Sequence, residues 1–522
     1  MSASPRVPGG IVVPSIRLPE DYGRIEEFER LLTEAGVAGF IVYGGDEELT
    51  PPFLARLRKT AGRPILIMAD YERGAGQHVT GMPELPPMMS IGATGSAESS
   101  YMAGKITALS ARAVGVNVVL APVLDVLSRA TNPIAGSRSF SDDPDLVTRL
   151  GLAFIEGIQE EGVLACAKHY PGHGDTALDS HADLPRVDAP PEVLSERELV
   201  PFRAAARAGV GMMMTAHAVY PAMDPAGPAT FSAPIVSGLL KDRWGYGGLV
   251  ITDALNMEGA KRGGAAPEVS AVNAGVDLLL YPEDPWAAIE TLRRAMEDGT
   301  VSEESVRMSA AKAALVAADL AFDAPVRKEV TRGYAFAVER IARESLTVGG
   351  DPDRLLDRLA GRPGRVCGLI VDDDGYERRA RAFDARRDDF TGGVLHVTRE
   401  GTGFAGDVAE VLREADVVVM GLMGDVKAWK ERTGLGPELS GFAGEVLAEH
   451  GKKTLAVVFG TPSLVLDLPV RNVVFAYGDV PVTRRAALDD LFDGGAMPGR
   501  LPAAAGPAFP RGIGKGVFPT GG

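Results

Sequence analysis

Eight short apolar runs, at residues 10–13, 39–43, 65–69, 116–126, 164–169, 210–216, 248–253 and 277–281, alternate with helical patterns over the first 300 residues. A strand that is apolar at nearly every position is buried on both faces, so it belongs in a parallel sheet covered by helices. Eight βα units in this length suit an N-terminal (β/α)8 TIM-type barrel. A doubly wound open sheet is the competing arrangement. The barrel also accounts for a second regularity. Asp70 and Glu72, Asp125, Lys168 and His169, His217, and Asp253 each stand at or just past the end of an apolar run. In a barrel those ends converge on one mouth, where residues distant in sequence become neighbours.

At 522 residues the chain exceeds one ordinary core. Helical patterns at 303–320 and 334–346 lead to a second series of apolar runs at 366–371, 394–397, 417–422, 455–459 and 473–476. The expected division is therefore a catalytic barrel over 1–325, a helical linker over 326–347, and a smaller open α/β sandwich domain over 348–522. That domain carries no Gly-x-Gly-x-x-Gly turn after its first strand and no Walker-type loop, which leaves nucleotide binding unsupported. It is the part through which the chain would self-associate.

Composition removes other classes. A net charge of −16 disfavours nucleic acid and anionic membranes as partners. Hydrophobic residues at 45% and charged residues at 24% are ordinary for a globular chain. The two cysteines, Cys166 and Cys367, fall in different domains, so a disulfide framework is not expected and a reducing compartment is. Residues 1–8 show no apolar signal core, and no run reaches the ~20 residues of a membrane helix. A cytoplasmic location is the expectation.

The densest chemistry lies in Lys168-His169-Tyr170-Pro171-Gly172-His173-Gly174-Asp175, followed by Asp179-Ser180-His181. It gathers three of only seven histidines in one glycine-punctuated loop. Ligation of a metal fits poorly, because the H-x3-H and H-x7-H spacings match no standard zinc pattern and the glycines break a ligand helix. A serine triad fits worse, since adjacent Asp179, Ser180 and His181 cannot relay to one another and no Gly-x-Ser-x-Gly elbow exists. Acid–base work fits best: a carboxylate two residues from His181 would favour the charged imidazole near neutral pH. Asp253, closing the run Val250-Ile251-Thr252, is the candidate nucleophile; its simpler alternative is a helix N-cap.

The loop resembles the signature of β-N-acetylglucosaminidases of glycoside hydrolase family 3. Further matches follow in chain order: Asp70-Tyr71-Glu72-Arg73-Gly74, Ala121-Pro122-Val123-Leu124-Asp125, Asn132-Pro133, Arg138-Ser139-Phe140, Met214-Thr215-Ala216-His217, Ile251-Thr252-Asp253-Ala254-Leu255 and Gly499-Arg500-Leu501-Pro502. The resemblance implies a retaining exo-acting hydrolase of N-acetylglucosamine glycosides from peptidoglycan or chitin. It implies Asp253 as nucleophile and His181 assisted by Asp179 as acid/base, in place of the second carboxylate most glycosidases use. Asp70, Arg138, Lys168 and His169 would hold a small, neutral carbohydrate substrate, and no cofactor is implied. Two departures stand out. His78 occupies a position where the family commonly has a second arginine, so it is carried over as a substrate contact in altered form. Ala254 stands where many members have another acidic residue. Competing activities are a glycoside phosphorylase, a broader β-glucosidase, and, from another class, a catalytically silent sugar-binding protein.

Overall fold

The computed structural model describes residues 7–176, 183–263, 266–320, 333–350, 353–361, 364–373, 383–398, 405–424 and 434–515. It divides into two compact units, one of Met1–Glu84, Ser100–Val126 and Val147–Ala335, the other of Leu85–Ser99, Leu127–Leu146 and Phe336–Gly522. The units interleave in sequence, unlike a single cut near residue 325. The cause is packing: Met89, Ala93, Leu127 and Ala135 are buried in the apolar core of the C-terminal sheet.

The first unit is built on parallel strands: β1 (Val12–Val13), β2 (Ser15–Leu18), β3 (Gly39–Gly44), β4 (Leu66–Ala69), β5 (Val118–Val119), β6 (Leu164–Tyr170), β7 (Met212–Thr215), β8 (Leu249–Thr252) and β9 (Leu279–Leu280). Seven of them form one curled sheet in the order β8-β7-β6-β5-β4-β3-β2, and β1 pairs with β9. Register is in step where the site is built, with Leu249 opposite Met212 and Thr252 opposite Thr215. Hydrogen bonds continue past the ladder ends. Thr252 N donates to Leu278 O (3.0 Å), and Ala38 N donates to Val12 O (3.0 Å).

The eight runs read from sequence fall on eight of these nine strands; β2 (Ser15–Leu18) lies in none of them, and the run 10–13 is cut to Val12–Val13 by a short helix over Pro8–Ile11. Two others are shortened. Of 116–126 only Val118–Val119 joins the ladder; Pro122 has no N–H to donate, and beyond it Leu124 N bonds to Lys168 O (2.7 Å) in an irregular path. Of 277–281 only Leu279–Leu280 does, because the Asp277 carboxylate takes the Val250 N–H itself (2.8 Å). Inward side chains such as Val13, Ile41, Met68, Val118, Cys166, Met214, Ile251 and Leu278 pack into one buried cluster, with Tyr43 and Tyr281 laid against it.

Surrounding helices begin where sequence supplies caps. Asp284 accepts from Trp286 N and Ala287 N at the start of Pro285–Glu297, and Ser302 caps Glu303–Asp319. Among the described residues no helix is long and apolar enough to cross a membrane.

The second unit holds a six-stranded sheet. Its strands are β10 (Thr347–Gly350), β11 (Val366–Asp372), β12 (Val394–Thr398), β13 (Val417–Gly424), β14 (Thr454–Gly460) and β15 (Asn472–Phe475). Their order is β10-β15-β14-β13-β11-β12, with β10 alone antiparallel. Strand β10 was not legible in sequence. Its Thr347-Val348-Gly349-Gly350 reads as a turn, and pairing with β15 imposes the extended form.

Candidate active site

The ends of β4, β6 and β8 and the irregular segment after β5 bring polar groups together over the apolar cluster. Lys168, on β6, is buried with its side chain 3% exposed. Its ammonium lies 2.6 Å from Asp70 Oδ1 and 2.8 Å from Glu72 Oε1. A buried lysine is tolerated only with such partners. Both carboxylates come from the turn after β4, so this pairing ties that turn to β6.

Asp125 organises the next layer. It is 1% exposed, and burial alone would raise its pKa. The neighbouring His169, a hydrogen bond from it, and the His173 side outweigh burial, so its pKa falls below the ordinary carboxylate value. The contacts are short: His169 Nδ1 at 2.7 Å, His169 N at 3.1 Å and His173 N at 2.7 Å. Facing that carboxylate, His169 Nδ1 carries a proton and donates it, which fixes the orientation of the ring. The peptide between Lys168 and His169 is cis.

His173 takes a different path. It is fully buried, its Nδ1 is 2.8 Å from Thr176 Oγ1, and burial pushes its pKa down to about 4 against the opposing pull of Asp125. The ring is neutral at physiological pH and serves the loop's architecture. Gly174 has the same purpose: a Cβ there would stand 1.6 Å from the carbonyl oxygen of Val126. Below the loop, Arg197 bridges Asp175 (2.8 Å) and the buried Glu198 (2.7 Å). His217 lies across the sheet, with Nδ1 2.9 Å from Thr230 Oγ1 and Nε2 3.2 Å from Ala254 O.

Asp253 follows β8. Its backbone N–H donates to Thr215 O (3.2 Å), and its Oδ1 accepts from Ala254 N (2.8 Å). No turn of helix begins on that bond, because the next helix runs Glu258–Gly263; the N-cap alternative is thereby set aside. Tyr43 lies at the end of β3, and its phenol is raised well above its ordinary value by burial first and then by the charges of Asp70 and Asp253. His78 stands beside it. Its ring stands 6.0 Å from Tyr43 and 6.2 Å from Tyr71, and burial lowers its pKa while Asp70 opposes.

Of the residues singled out in sequence, the structure thus brings Asp70, His78, Lys168, His169 and Asp253 together in one unit. Arg138 belongs to the other unit, on the short helix Gly136–Arg138, where it donates to Ile134 O (3.0 Å). Asp179 and His181 lie outside the described residues. Sequence reasoning undervalued Asp125 and Glu72, although each stands at a strand end in a matched motif. It missed Tyr43, Tyr281 and Arg17, which no motif marks. Among the described residues no group of three or more His, Cys, Asp or Glu side chains is placed to hold a metal ion.

A curled parallel sheet with paired carboxylates, a buried lysine and histidines at its strand ends is the frame of a glycoside hydrolase. Residues 26–316 match the description "Glycosyl hydrolase family 3 N terminal domain", and the chain belongs to that family. It is 34% identical over 283 residues to beta-hexosaminidase A of Pseudoalteromonas piscicida, a match covering 49% of this chain and 47% of that protein. It is 36% identical over 275 residues to the beta-hexosaminidase of Tolumonas auensis, covering 51% of this chain and 81% of that protein. A family 3 beta-N-acetylglucosaminidase from Paenibacillus superposes with a TM-score of 0.84 at 28% identity, covering 97% of this chain and 99% of that one. A beta-glucoside phosphorylase superposes with a TM-score of 0.87 at 21% identity over 97% and 94% of the two chains, a likeness of fold alone.

Proposed function

We propose that this chain is a retaining, exo-acting β-N-acetylglucosaminidase that removes terminal N-acetylglucosamine from peptidoglycan- or chitin-derived glycosides in the cytoplasm. In this reading the parallel strands of the first unit close as a (β/α)8 barrel and the open sheet of the second follows it. Asp253 attacks the anomeric carbon and forms a glycosyl–enzyme. His181, paired with Asp179, protonates the leaving oxygen and then activates water. Asp70, Lys168 and His169 hold sugar hydroxyls. Arg138 is carried over from the family motif as a further sugar contact.

The observation that carries the reading is that Asp253 follows the end of β8 in the same sheet whose strand ends hold Lys168 against Asp70 and Glu72. The names of the hexosaminidase relatives and of the Paenibacillus neighbour support the choice of sugar. The test is a panel of aryl N-acetyl-β-glucosaminides and β-glucosides, assayed with and without phosphate, followed by trapping with a 2-deoxy-2-fluoro glycosyl donor. Free N-acetylglucosamine of retained configuration and a label on Asp253 are expected. An inverted product, a sugar 1-phosphate, or a label on another side chain rejects the proposal.

A further inference from the structure

The edge of the site formed by β2, β3 and the end of β9 carries an arrangement that the proposed chemistry does not use. Arg17, on β2, is exposed, yet its guanidinium is fixed. Nε and Nη2 both donate to the Tyr281 hydroxyl, at 2.9 and 2.7 Å. The same group stacks over Tyr43 and Tyr281, 5.6 and 5.4 Å from the ring centroids. Among the described residues no carboxylate lies within salt-bridge distance of it. Two of its five N–H groups are thus committed to one phenol, which fixes the plane of the guanidinium.

Tyr281 is constrained just as tightly. Its φ is +47°, a left-handed conformation that a residue with a bulky side chain adopts only when its surroundings dictate it. Here they do: Tyr281 N donates to Val13 O (2.8 Å), and Tyr281 O accepts from Asn256 N (3.1 Å), three residues after Asp253. The two sides of the Arg17–Tyr281 pair differ. On one side is Tyr43, whose ring stands 6.0 Å from that of His78. On the other is a cavity of about 570 Å³ whose lining includes Arg17, Phe28 and Tyr281 and the charged Asp21, Arg24 and Glu27, but not Tyr43, Asp70 or Asp253.

We propose that the Arg17–Tyr281 pair is a specificity-determining wall: it ends the sugar pocket at this edge and confines cleavage to a single unsubstituted terminal sugar. The inference rests on the hexosaminidase reading above. A sugar extended by a further β-linked unit on the hydroxyl nearest Tyr43 meets stacked guanidinium and phenol, while a cavity able to hold that unit lies just behind them.

The test substrate is the aryl β-glycoside of an N-acetylglucosamine disaccharide, with initial products separated by chromatography. The wild type releases monosaccharide and aryl monosaccharide. Arg17→Ala and Tyr281→Gly, the latter matched to the left-handed backbone, open the wall and raise the ratio of intact disaccharide to monosaccharide at least 10-fold. Arg17→Lys, which loses the double donation and the planar stack, gives an intermediate ratio. A ratio that stays at the wild-type value in both Arg17→Ala and Tyr281→Gly overturns the wall. If either variant turns over too slowly to score, disaccharide affinity is titrated on an Asp253→Asn background with and without Arg17→Ala, and an unchanged affinity likewise overturns it. A wild type silent on the aryl monosaccharide counts instead against the hexosaminidase reading.

Discussion

Replacing Asp125 with Ala is the most demanding test of how this site is held together. The carboxylate receives three donors: His169 Nδ1, His169 N and His173 N. Alanine supplies no acceptor, and the 1% exposure of Asp125 leaves the three donors away from bulk water. Each buried donor left unmet costs about 1–3 kcal/mol, and breaking a buried charged network about 3–5 kcal/mol, so a loss of about 3–5 kcal/mol is expected. At roughly 2–4 °C per kcal/mol, the unfolding midpoint of the first unit falls by about 6–20 °C. Asp125→Asn separates stability from chemistry. Its amide oxygen still accepts from the two backbone N–H groups, so most stability returns. Its NH2 now faces His169 Nδ1, which can no longer donate there, so the charge-assisted hydrogen bond that orients the ring is lost. Asp125→Asn therefore melts near wild type but loses at least about tenfold in kcat/KM, a loss of at least about 1.4 kcal/mol. Calorimetry and aryl-glycoside kinetics on both variants check this. An Asp125→Ala protein melting within 2 °C of wild type, or a fully active Asp125→Asn protein, refutes the reasoning.

The pH dependence of stability has a definite sign. His173 titrates near 6.5 when unfolded and at about 4 when folded. Between those values the unfolded chain binds the extra proton, so stability is complete above 6.5 and is lost as pH falls toward 4. The depressed Asp125 carboxyl adds a loss at lower pH, below the ordinary carboxylate value. A urea series at pH 7.5, 6 and 5 should show falling midpoints; a flat series excludes a buried neutral His173. His181→Ala should slow substrates with poor leaving groups roughly 10²- to 10⁴-fold while sparing activated aryl glycosides, and equal losses on both would remove it as proton donor. Asp179→Asn should lower the pKa of the alkaline limb of the rate profile, and an unmoved limb would separate the two residues. Gly174→Ala drives a Cβ into the Val126 carbonyl and should abolish activity by displacing the loop; a wild-type rate would show that the loop tolerates a shifted backbone.

Pattern and motif made much of this protein legible, for identifiable reasons. A buried parallel strand must be apolar on both faces, so β3, β4, β7 and β8 announced themselves as runs rich in Val, Ile, Leu and Met, and β6 as Leu164-Ala165-Cys166-Ala167. Chemistry at strand ends announced itself as polar residues breaking those runs: Asp70, Lys168, His169 and Asp253 were readable one residue at a time. The two-residue ladders β5 and β9 were overestimated, because where a run leaves the sheet is decided by a proline or a side-chain acceptor rather than by hydrophobicity.

Other features exist only in three dimensions. That Lys168 neutralises two carboxylates from a turn 96–98 positions earlier, and that Asp125 fixes the orientation of the His169 ring, depends on which strands lie side by side. The grouping of Leu85–Ser99 and Leu127–Leu146 with the C-terminal sheet is set by which core their apolar side chains enter. The Arg17–Tyr281 contact spans 264 positions and matches no local signal. Local sequence encodes what each segment must bury and what it can titrate. Proximity between distant segments is a property of the packed chain, and it alone brings scattered carboxylates, imidazoles and a lysine into contact.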